Sequence, residues 1–181
     1  DGMFRVAFAS GSQGHEIDLG EIINPLSEFI QEDHNRRLML IGHFELSHLP
    51  EGLIQQVETV GFTDYDAYLT ALAGANCAVM PLCDDAFNKC KSAVRVLDAA
   101  SVGVPSIVSC VGDLPSVVKT GKTGFVVEKT QGWMDVLGEV AASPKETAKL
   151  GRNARDNLED YWRASEQPHI IAPELIDWVE A

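Results

Sequence analysis

Lys91 and Asp98 are the charged pair in this sequence whose types and spacing could do chemistry. They lie in FNKCKSAVRVLDAASVGVPSIVS, residues 87–109. The segment reads as a helix from about Lys91-Ser92 to Val102, stopped by Gly103. Such a helix aims backbone N–H groups and the positive end of its dipole at whatever lies before it. Lys91 would add a mobile cation, and a separation of seven residues puts Asp98 two turns along on about the same face. A helix end, a cation and then a carboxylate suit a diphosphate followed by ribose hydroxyls. The same spacing also describes a surface lysine and aspartate on an amphipathic helix, and spacing alone does not choose between them.

Other candidate motifs fall short. SGSQGHE at 10–16 has GxxG where a dinucleotide fingerprint needs GxGxxG, and Asp33 sits near the end of a helix rather than of the second strand. TGKTG at 120–124 lacks the upstream glycine of a P-loop, Ser116 standing there, and precedes a strand; it reads as a tight turn. GxSxG and HExxH are absent, and Ala9-Ser10 and Cys110 decline the roles a phospho-receiver domain would need. The cysteines, Cys77, Cys83, Cys90 and Cys110, form no CxxC pair, and the histidines, His15, His34, His43, His48 and His169, add no ligand beside them. The expectation is no metal site, and buried free thiols in a reducing compartment.

Short apolar runs alternating with helix-period segments must position these residues. Strands are expected at Met3–Ala9, Arg37–Gly42, Glu58–Phe62, Cys77–Leu82, Pro105–Cys110 and Thr123–Glu128. A helical stripe starts at Asp18 as N-cap and runs through Leu19, Ile22, Ile23, Leu26, Phe29 and Ile30, with Pro25 kinking or restarting it. Further helices are expected near Glu51–Gln56, over Tyr65–Ala73 capped by Asp64, over Thr130–Ala142, and over Pro144–Tyr161 with Ser143 as cap. Strands alternating with helices mean βαβ units, hence an α/β, Rossmann-like, mostly parallel sheet with helices on both faces. Ligands then sit beyond the carboxyl ends of the strands. That rim gathers Ser10–His15, Gly42-His43, Phe62-Thr63, Cys83–Lys91 and Cys110–Leu114.

The chain has 181 residues, 14 Lys+Arg against 27 Asp+Glu, and a formal charge of −13, so broad nucleic-acid or anionic-membrane binding is not expected. No apolar run approaches the roughly 20 residues that span a bilayer, so no transmembrane segment is read. Residues 1–20 show no signal-peptide pattern, and a cytoplasmic location is expected. The start at Asp1, entering an apolar strand almost at once, reads as that of a fragment.

Several segments together resemble the C-terminal domain of the family 4, or group 1, glycosyltransferases of GT-B fold. Residues 87–109 are similar to the signature FN..KS..K.LE.A..G.P.I.S, and SGSQGHEID resembles the SGT.TH..D loop of a branch usually found in polysaccharide assembly. VETVGFTDYDAYLTALAGANCAVMPL, GKTGFVVE and KLGRNARDNLEDYW resemble further family segments, in order, from about Met3 to Trp162. The resemblance implies transfer of a sugar from a nucleotide-sugar donor with retention of configuration, the donor on this domain and the acceptor mostly on an N-terminal one. It implies that Gly11, Ser12 and His15 face the donor diphosphate and that Lys91 and the Ser92 backbone bind phosphate. It places Asp98 where a ribose-binding Glu usually stands, Phe62 near the base, and Asn88 within the FN of the signature. Two positions depart: Cys90 stands where the broader family has Glu, and Asp98 is one methylene shorter than Glu.

The resulting expectation is a donor-binding half of a retaining glycosyltransferase in polysaccharide or glycan assembly, with a nucleotide-diphosphate-sugar as substrate and no cofactor. Residues 1–162 would form the nucleotide-sugar-binding domain. Residues 163–181 would form a tail packing on an N-terminal domain that also carries the sugar or glycan acceptor, so the chain alone would bind donor weakly and transfer nothing. The alternative is a glycosyltransferase-like module that binds a nucleotide or partner without turnover, which the departures at Cys90 and Asp98 favour. An unrelated flavodoxin-like binding domain is a third reading without a positive motif.

Overall fold

Strands buried on both faces need apolar side chains on both, and the unbroken runs AVM and LMLI are of that kind. The computed structural model describes residues 2–10, 15–162 and 173–180. Among them, β1 (Phe4–Ser10), β2 (Arg36–Gly42), β3 (Val57–Val60), β4 (Cys77–Met80), β5 (Ser106–Ser109) and β6 (Gly124–Val127) form one sheet in the order β3-β2-β1-β4-β5-β6. Every pairing is parallel, so the sheet is wholly rather than mostly parallel. This doubly wound order reverses direction between β1 and β4, where such folds bind ligands.

Alternation along β1 divides the core. Val6 and Phe8 face a layer containing α1 (His15–Gly20), α2 (Ile23–Gln31), α3 (Glu51–Ile54) and α7 (Gly132–Ala142), through Leu19, Phe29, Leu53 and Leu137. Ala7 faces α4 (Tyr65–Leu72), α5 (Val94–Ser101) and α6 (Leu114–Val117), through Leu72, Val96, Ala99 and Leu114. Behind α5 lies α8 (Pro144–Tyr161), where a Cβ on the buried Gly151 would overlap the Gly103 carbonyl. The last described element, α9 (Pro173–Glu180), exposes Leu175, Trp178 and Val179. Among the described residues, no helix is long and apolar enough to cross a membrane.

Several expectations are corrected in detail. The stripe starting at Asp18 is two helices, and Pro25 restarts it: α2 opens at Ile23, which leaves Pro25 in the first turn, where a missing N–H breaks no intrahelical bond. Asp18 is not an N-cap but an interior residue of α1. The helix expected from Lys91 starts at Val94, and Lys91 itself is extended, with φ −75° and ψ 138°. Its place is taken by a single 3₁₀ turn at Asn88–Cys90. The cap at Asp64 holds, its carboxylate accepting from Ala67 N–H at 2.9 Å. Ser143 makes no side-chain cap bond, although Pro144 does open α8. All four cysteines are free, but only Cys77 is buried, and Cys90 and Cys110 are exposed. TGKTG is the expected turn, with Gly121 at φ +72° and β6 beginning at Gly124.

Candidate functional site

The carboxyl ends of β1, β2 and β3 close on α4 and α5 around a cavity of about 300 Å³. Ser10, Gly42 and Phe62 supply the strand side, Tyr65 and Tyr68 the α4 side, and Arg95 and Asp98 the α5 side. Gly42 is required there. Its φ of +117° suits only glycine, and a Cβ would overlap the Ser10 carbonyl on the neighbouring strand.

Phe62 follows β3 and stays 65% exposed, an apolar ring offered to solvent at the cavity wall. It stacks on His43 with centroids 5.4 Å apart and planes within 10°. Across the cavity, Asp98 Oδ1 accepts from the Tyr65 hydroxyl at 2.6 Å and Oδ2 from the Tyr68 hydroxyl at 3.3 Å. That bond to Asp98, then burial, raises the Tyr65 phenol above its ordinary pKa. Tyr68 is raised further, by burial first and by the Asp98 charge second. Both phenols therefore remain protonated donors at neutral pH. One turn before Asp98, Arg95 donates from Nη1 to the Ala9 carbonyl at 2.9 Å, which fixes the guanidinium at the end of β1. Burial pulls its pKa down, and the charges of Asp18 and Asp98 oppose that.

A second charged group lies towards β4. Asp18 Oδ1 accepts from Cys83 N–H at 3.1 Å and from Asn88 Nδ2 at 2.9 Å, and Oδ2 pairs with Lys91 Nζ at 3.2 Å. The Asp18 side chain is 4% exposed and that of Lys91 24%. Lys91 also lies over the exposed Phe87 ring, 5.1 Å from its centroid. Burial, helped by the charges of Asp18 and Glu21, pushes the Cys83 thiol up to about 11, so it is no thiolate nucleophile near neutral pH.

The expected residues separate into groups. Phe62 and Asp98 line the cavity. Lys91 and Asn88 meet instead at Asp18, and Asn88 is buried, its amide also donating to the Cys83 carbonyl and to Asp85. Ser92 precedes α5 and is exposed, so its backbone is not a helix start. The two-turn argument linking Lys91 to Asp98 fails for the same reason. His15 opens α1, and Gly11 and Ser12 lie outside the described residues. Sequence reasoning read Asp18 only as a helix cap and a motif letter, and missed Arg95, Tyr65 and Tyr68. Arg95 was findable, since three residues before Asp98 shares its helical face.

The sequence profile described as "Glycosyl transferases group 1" matches residues 8–142. The D-inositol 3-phosphate glycosyltransferase of Streptomyces scabiei is 27% identical over 128 residues, covering 64% of this chain but 28% of that protein. That of Actinosynnema mirum is 30% identical over 111 residues, 58% of this chain and 27% of that one. The chain therefore spans little more than a quarter of the length of these relatives. Among solved structures, the C-terminal domain of a group 1 family glycosyl transferase (LpcC) from Francisella tularensis superposes with TM-score 0.67 at 15% identity, covering 88% of this chain and 86% of that domain. Anabaena HepE in complex with UDP-glucose superposes with TM-score 0.68 at 16% identity, covering 93% of this chain and 49% of HepE. The sheet order and helix layers are those of the C-terminal half of the GT-B fold, and with three quarters of its length matched to the profile, the chain belongs to the group 1 glycosyltransferases.

Proposed function

We propose that this chain is the donor-binding half of a retaining glycosyltransferase that acts in polysaccharide or glycan assembly. The observation that carries this reading is the cavity at the ends of β1–β3, with an exposed aromatic ring on one wall and a half-buried carboxylate on another. Phe62 would receive the base by stacking, and Asp98 the ribose hydroxyls. Lys91, Arg95 and the loop containing Gly11 and Ser12 would face the diphosphate. Their work is to meet the negative charge that grows on the diphosphate as the sugar departs, a charge they stabilise more than they stabilise bound donor. The UDP-glucose complex of HepE supports the ligand class. The sugar or glycan acceptor would come from an N-terminal domain, and the tail 163–181 would pack against that domain, to which Leu175, Trp178 and Val179 of α9 offer exposed apolar side chains. No cofactor is part of this scheme, and the free cysteines support a cytoplasmic setting.

Cys90, where the broader family carries Glu, favours a second reading, a module that binds nucleotide without turnover. Calorimetry tests the shared part. Wild type should bind UDP better than its 2′,3′-dideoxy analogue, and Asp98→Ala should lose that preference, worth about 1.5–3 kcal/mol for hydrogen bonds to a charged group. Equal binding of both ligands by wild type removes Asp98 from the ribose. Transfer from UDP-glucose by a longer chain that includes the preceding domain separates enzyme from module.

A further inference from the structure

Asp98 faces the cavity but is not vacant. Its two oxygens accept from two phenols, and the two bonds differ. Tyr65 donates at 2.6 Å from a side chain that is 59% exposed. Tyr68 donates at 3.3 Å from a half-buried position inside the turn of α4. The rings are tilted together, centroids 6.0 Å apart, and both project from α4. Tyr65 is the first residue of α4, directly after the Asp64 cap, and its ring reaches over the cavity that Asp98 lines.

We infer that Tyr65 is a gate on the carboxylate: its hydroxyl occupies the acceptor site of a ribose hydroxyl and leaves when a ribonucleotide enters. This rests on the donor-binding reading above and deepens it. A ribose diol presents two donors at fixed spacing, matched to the two oxygens of a carboxylate. At Oδ2 the diol meets only the long Tyr68 contact. At Oδ1 it meets a short, charge-assisted bond that must break first. Tyr65 can give way because its ring is mostly in solvent, where the freed hydroxyl is rehydrated at little cost. Tyr68 cannot swing out without uncovering the face of α4 that packs on the sheet. The gate therefore weakens ribonucleotides selectively: a ligand without the diol has no reason to displace Tyr65.

The test is Tyr65→Phe in the 181-residue chain, with folding checked by thermal melting and binding of UDP and 2′,3′-dideoxy-UDP measured by calorimetry. The substitution removes only the hydroxyl of an exposed residue. The expected result is UDP bound about three- to tenfold more tightly than by wild type, with the dideoxy ligand unchanged within twofold. Unchanged or weakened UDP binding by the variant, while wild type binds UDP with a ribose preference, overturns the gate and leaves the donor reading standing. UDP binding to neither protein overturns the donor reading and the gate together. Equal tightening of both ligands also overturns the gate, since it would mean that Tyr65 merely crowds the cavity.

Discussion

Asp18 and Asp98 are carboxylates on the same edge of one sheet, and their surroundings give them opposite uses. Asp18 is enclosed, with a backbone N–H, a buried amide and an ammonium group all inside hydrogen-bond reach. Its partners come from the β4–α5 connection, so it ties α1 to the loop that precedes α5. Asp98 is half-buried, faces a cavity, and takes its donors from two tyrosines, one of them mostly in solvent. A carboxylate saturated by buried donors holds the fold together. One whose donors can exchange with a ligand is available for recognition.

The sharpest way to break this contrast is to remove each carboxylate in turn. Asp18→Ala leaves a mostly buried ammonium group and the Cys83 N–H without their acceptor, and should cost about 3–5 kcal/mol in urea denaturation. Asp98→Ala should cost less, about 1–2 kcal/mol, because the Tyr65 hydroxyl turns to water and only the half-buried Tyr68 hydroxyl is left short of an acceptor. Equal losses would mean that both sites are structural and that the ribose assignment lacks a physical basis.

Lys91 sits on the line between the two. Its ion pair with Asp18 makes it part of the structural half, while its partial exposure leaves the ammonium accessible, as the proposed diphosphate contact requires. Lys91→Ala should weaken UDP by about 1.5–3 kcal/mol while leaving uridine almost unaffected, as calorimetry would read. A parallel loss on uridine would assign Lys91 wholly to Asp18. Some loss of stability is expected either way, smaller than for Asp18→Ala, because Asp18 keeps two of its donors.

The sequence made the sheet legible and the Asp18 half illegible, for one reason. Strands β1, β2 and β4 announce themselves because a parallel sheet covered on both faces needs local runs of apolar residues. The short α6 has only four residues, too few for a helical period to show. Asp18 could be read as a helix cap and as the last letter of SGSQGHEID, but not as a buried carboxylate: three of its partners lie 65, 70 and 73 residues away. The start of α5 was misplaced because Asn88–Cys90 already turns, as a 3₁₀ segment, so polar residues that look like a helix cap precede the real helix by several positions. Resemblance singled out Phe62 and Asp98, and both line the cavity. Their company was not, since Tyr65 and Tyr68 reach Asp98 across 33 and 30 residues.

The smallest expected effect is an alkaline one, and it belongs to the Asp98 half. Tyr65 and Tyr68 both have pKa values raised above the ordinary 10.0 in the folded chain. Above about pH 10 the unfolded phenols lose their protons while the folded ones keep them. The folded state then binds more protons than the unfolded one, so stability falls as pH rises, and the contribution is complete only below pH 10. Buried Cys77, pushed up to about 12 from 9.0, acts with the same sign and starts one pH unit earlier. The wild-type slope is therefore composite, and only a difference between variants isolates the phenols. Urea midpoints from pH 8 to 11.5 should fall less steeply for Tyr68→Phe than for wild type, because burial and the Asp98 charge both act on that phenol. Tyr65→Phe should change the slope less, its ring being largely in water, where the charge of Asp98 is screened. A Tyr68→Phe profile that overlays wild type up to pH 11.5 would mean that the phenol feels neither burial nor its neighbour's charge, and the two carboxylates would lose the electrostatic difference that separates them.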